Sequence, residues 1–136
     1  MLPGTAFDLR IGWDLVTDEG RQRCWAALHQ ELPEFIVGSP PGGLFCRPFY
    51  DTEAARQALW EGVRHLNFCA AVYKWQLERG KFFLHEHPFA ALSWGLDVMT
   101  KLVAKESLTP AACGRPQLAL GSSWTAMNST KQQQDV

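Results

Sequence analysis

No stretch of this sequence approaches the ~20 consecutive apolar residues that a membrane-spanning helix requires; its longest apolar runs are only a few residues. The opening residues, Met1-Leu2-Pro3-Gly4, lack a basic segment followed by an apolar one, and predict no cleaved signal peptide. No C-x-x-C pair occurs among Cys24, Cys46, Cys69 and Cys113, which excludes zinc-ribbon and thioredoxin-type motifs. With nothing pointing to secretion, the four cysteines are expected as reduced, mostly buried thiols of an intracellular protein, cytoplasmic or nuclear. Charge of one sign is also lacking. Against 14 Asp+Glu stand 13 Lys+Arg, a net charge of −1, which argues against a strongly basic nucleic-acid coat and leaves room only for a local patch. The glycines from Gly38 to Gly43 do not form G-x-G-x-x-G, and no P-loop lysine follows them. Internal repeats and low-complexity segments are absent as well.

What is present is an ordinary globular composition with an aromatic bias. Hydrophobic residues make up 46% and charged ones 20%, too apolar for a disordered chain. At 136 residues there is room for one domain with a real core, expected over residues 1–130, with a polar, disordered tail over 131–136. Six Trp and eight Phe stand against two Tyr, so the core is expected to be aromatic, each indole needing both cover and a partner for its N–H.

Alternation in Phe7-Asp8-Leu9-Arg10-Ile11 predicts a short strand. Thr17 is placed to cap a helix whose first turn holds Asp18 and Glu19, whose apolar positions are Trp25, Leu28 and Leu32, and which Pro33 stops. Phe35-Ile36-Val37 reads as a buried strand opening into the turn Gly38-Ser39-Pro40-Pro41-Gly42-Gly43. Leu59, Val63, Leu66, Ala70, Tyr73 and Leu77 lie on one face of a long helix, with Gly80 as its stop. Lys81 to Glu86 predicts a strand broken by Pro88, and Ser93 a cap for a helix carrying Leu96, Met99, Leu102 and Val103. Beyond Leu108 the pattern weakens, with Gln117-Leu118-Ala119-Leu120 and Trp124-Thr125-Ala126-Met127 as short strand candidates. Strands alternating with helices predict an open α/β sheet with helices covering both faces.

In such sheets chemistry gathers in loops after the carboxyl ends of strands. Those loops hold Gly12-Trp13-Asp14, Ser39-Pro40-Pro41-Gly42 and His85-Glu86-His87-Pro88. Glu86 is a candidate general acid or hydrogen-bonding anchor, while His85 and His87 share the opposite strand face. The H-x-H pair lacks a third ligand at metal spacing, so no metal site is expected. Asp8 and Asp14 are placed where an acid accepts hydrogen bonds from a ribose or an adenine amino group, or else serves as a loop residue or helix cap. Pro40 and Pro41 stiffen their loop; Cys46, beside Arg47, reads as an inert thiol.

Taken in order, Gly12-Trp13-Asp14-Leu15, a helix, Pro33 to Pro41 and Phe82-Phe83-Leu84-His85-Glu86-His87-Pro88 resemble part of a C5-cytosine DNA methyltransferase-like domain. The likeness is greatest to divergent segments of that kind in transposable-element polyproteins, and it spans about three quarters of the chain. It implies a partial Rossmann-like sheet of methyltransferase type with flanking helices. It also implies that Asp14 corresponds to the acid contacting the adenine of S-adenosylmethionine, with Asp8, Pro40 and Pro41 beside the cofactor. Glu86 corresponds to the acid that engages the target cytosine. Where the family has its nucleophilic cysteine after Pro-Pro, this chain has Gly42. Only six residues precede Phe7, where the resemblance places the glycine-rich cofactor loop, and the normally long target-recognition region is expected to be absent or reduced. The resemblance therefore implies a truncated, inactive methyltransferase-like fragment of transposable-element origin, with S-adenosylmethionine and DNA as vestigial ligands. The alternatives are an active transferase completed by a partner chain, and a non-catalytic interaction module using exposed aromatics for self-association or partner binding.

Overall fold

The computed structural model describes residues 3–41, 45, 52–88, 91–103, 108–112 and 117–121, with backbone alone for 103, 108–112 and 117–121. Gly42, Cys46, Arg47, Cys113, the segment Trp124 to Met127 and the tail 131–136 lie outside the described residues. The chain divides into two compact units, residues 1–34 and 35–136.

In the first unit the expected strand at Phe7–Ile11 does not form; Leu9–Ile11 make a single 3-10 turn instead. The reason is local chemistry. The Asp8 carboxylate accepts from the Arg10 amide at 2.9 Å, and Gly12 at φ 94° closes the turn with its amide on the Leu9 carbonyl. A side chain that offers the backbone such a partner competes with strand pairing. Helix α1, Asp18–Glu31, begins as expected at Thr17, whose hydroxyl accepts from the Gly20 amide at 3.0 Å. It ends at Leu32, which adopts φ 47°, with Pro33 following. Cys24 and Leu28 are its buried side chains.

The second unit carries a four-stranded sheet in the order β1-β2-β4-β3. Strands β1 (Phe35–Gly38) and β2 (Phe82–His87) run parallel, joined through helix α2 (Glu53–Glu78). After β2 come a 3-10 turn (Leu92–Gly95), the short helix α3 (Asp97–Val103), and the strands β3 (Leu108–Ala112) and β4 (Gln117–Gly121). β4 pairs antiparallel with both β2 and β3. The mixed sheet with helices fits the expected α/β class, whereas two of its three pairings are antiparallel. Ser93 does not cap α3 as expected: it lies inside the 3-10 turn, and its hydroxyl turns to His87.

Alternation along β2 sets the core. Phe83, His85 and His87 are buried and Phe82, Leu84 and Glu86 half-buried. Phe83 joins Leu66 and Tyr73 of α2 with Met99 and Leu102 of α3 in one cluster, and Ile36 packs at its edge. Both described helices of this unit thus cover the same sheet face, not opposite faces as alternation alone suggested. Tyr73 stacks on Phe83 with ring centroids 4.2 Å apart and planes 6° from parallel. Each such buried apolar side chain stabilises the fold by about 1.5–3 kcal/mol.

Candidate functional site

The parallel pairing of β1 with β2 creates the site. Gly38 lies opposite His85, so the next residues, Ser39 and Glu86, emerge side by side from neighbouring carboxyl ends. The Ser39 hydroxyl donates to the Glu86 carboxylate. The structure therefore brings together Glu86 and the loop that includes Pro40 and Pro41. Pro40 is buried and Pro41 exposed.

Behind Glu86, on the inner face, the two histidines do different work. His87 is 1% exposed; its Nε2 lies 3.1 Å from the Pro40 carbonyl and its Nδ1 2.5 Å from the Ser93 hydroxyl. A carbonyl only accepts, so the Nε2 proton is donated to Pro40 and the Ser93 hydroxyl donates to Nδ1. His85 is 0% exposed, with Nδ1 2.7 Å from the Tyr73 hydroxyl. Its Nε2 has no hydrogen-bond partner among the described residues. Burial pushes His85 down to about 3, with the neighbouring His87 adding to the effect. Burial also lowers His87, opposed by the Pro40 carbonyl, the Glu86 charge and Pro41. Burial raises the Tyr73 hydroxyl well above the usual phenol range. Both histidines are therefore neutral at pH 7, and the ring of Trp94 stands edge-on to His85 at 5.4 Å.

Tyr73 also approaches β1. A Cβ added to Gly38 would meet its hydroxyl oxygen at 1.7 Å, so only glycine lets the phenol reach His85 at this point. Sequence reasoning placed Tyr73 on the apolar helix face and missed this polar role. The signal available was the phenol at an otherwise apolar position, since a buried Tyr hydroxyl needs a partner. Ser93 was likewise missed as a partner of His87.

The two acids expected to contact a cofactor belong to the first unit, and each is engaged locally. Both carboxylate oxygens of Asp8 bind the Arg10 guanidinium, the shortest contact being 2.6 Å. Hydrogen bonds from Arg10 hold this carboxyl down to about 2. Asp14 accepts from the Val16 amide at 3.1 Å through its side chain, and its own carbonyl accepts from the Thr17 hydroxyl at 2.9 Å. Its carbonyl also abuts Gly20, where a Cβ would lie 1.6 Å away. Asp14 thus shapes the entry to α1.

Among the described residues, no group of three or more His, Cys, Asp or Glu is placed to hold a metal ion. Burial raises Cys24 to about 11, far from a reactive thiolate. No described helix is long and apolar enough to cross a membrane. Of the described tryptophans only Trp60 is largely exposed, at 51%, and the Arg64 guanidinium lies over its ring at 4.7 Å. Arg23 covers Trp13 and Arg79 covers Trp75 in the same way, at 4.6 and 4.3 Å. Comparison with protein-family models, with curated proteins and with solved structures finds no match to this chain.

Proposed function

We propose that the chain is a catalytically inactive C5-cytosine DNA methyltransferase-like domain of transposable-element type. The observation that carries this reading is the contact between Ser39 and Glu86 across two adjacent parallel strand ends. Attack on a cytosine ring needs a nucleophile on one loop and an acid on its neighbour, both aimed into one pocket. The β1–α2–β2 unit supplies the acid, Glu86, and the proline loop beside it.

The other half of the chemistry is missing. Gly42 occupies the nucleophile position that the resemblance assigns, and glycine has no group to add to carbon-6 of the base. Asp8 and Asp14, the assigned cofactor acids, already have local partners in Arg10 and the Val16 amide. S-adenosylmethionine and DNA are accordingly vestigial ligands in this reading.

The test is transfer of a labelled methyl group from S-adenosylmethionine to cytosine-containing DNA. Neither the natural chain nor the Gly42→Cys variant is expected to incorporate label. Restoring the thiol alone leaves the cofactor acids engaged elsewhere. Incorporation by either protein would overturn the reading.

A further inference from the structure

We draw no further inference here: the strongest candidate, the sheet face turned away from α2 and α3, where exposed Val37 of β1 lies in register with half-buried Leu84 of β2, carries nothing because nothing in the structure shows what covers it.

Discussion

Gly38 has no room for a side chain, because a Cβ there would meet Tyr73 at 1.7 Å from Oη and 2.7 Å from Cζ. Forcing a methyl group into such a contact destabilises packed cores by about 1–3 kcal/mol, and here it also displaces the phenol from His85. Gly38→Ala is therefore expected to lower the urea midpoint strongly. In a Tyr73→Phe background the same substitution is expected to cost less, since the closest clashing atom is gone. A double-mutant cycle measures the coupling; equal costs in both backgrounds would contradict the assigned contact. The H-x-H pair was legible in the sequence as two side chains on one strand face, opposite Glu86. Which face is buried was not legible, because alternation gives the partition and only the packed helices give the side. Asp8 shows the same limit: its distance from Arg10, two residues on, decides its role, and that spacing suits a turn as well as a strand.

At the scale of elements, the helices were the most legible part. Thr17 and Gly80 mark real ends, and the apolar face from Leu59 to Leu77 lies within α2. The helix starts earlier than its apolar pattern, at Thr52, whose hydroxyl accepts from the Ala55 amide at 3.1 Å. Thr52→Ala is expected to cost about 1 kcal/mol, typical of a lost N-cap, in urea denaturation. A variant as stable as the natural chain would show that the first turn of α2 is not coupled to global stability. Strand β3 escaped sequence reading because it contains Pro110, which argues against a strand. Its place at the end of the order β1-β2-β4-β3 explains the tolerance, since one side of β3 has no strand partner among the described residues. The 3-10 turn at Leu92–Gly95 escaped because Ser93 resembles a cap; its hydroxyl serves His87 instead of a helix amide.

For the molecule as a whole, the buried histidines dictate how stability depends on acidity. Both are pushed below the ordinary value of 6.5, His85 to about 3. Between those values the unfolded chain binds more protons than the folded one, so stability is complete above about pH 6.5 and is lost as pH falls. One such group gives a slope of at most about 1.4 kcal/mol per pH unit, and His87 acts in the same direction. Urea midpoints are expected to fall steadily from about pH 7 to about pH 4, and a flat profile would contradict the burial of both rings. Asp8 acts in a lower window, where its pairing with Arg10 is lost as pH drops from 3.8 towards about 2.

The proposed function joins Glu86, which the Ser39 hydroxyl holds beside the proline loop, to a nucleophile position taken by Gly42 and to two acids with local partners. Calorimetric titration of the intact chain with S-adenosylmethionine, and with its demethylated product, tests that combination most directly. No saturable heat is expected at micromolar ligand, because Asp8 and Asp14 are already engaged by their own backbone and Arg10. A micromolar dissociation constant for either ligand would contradict the account.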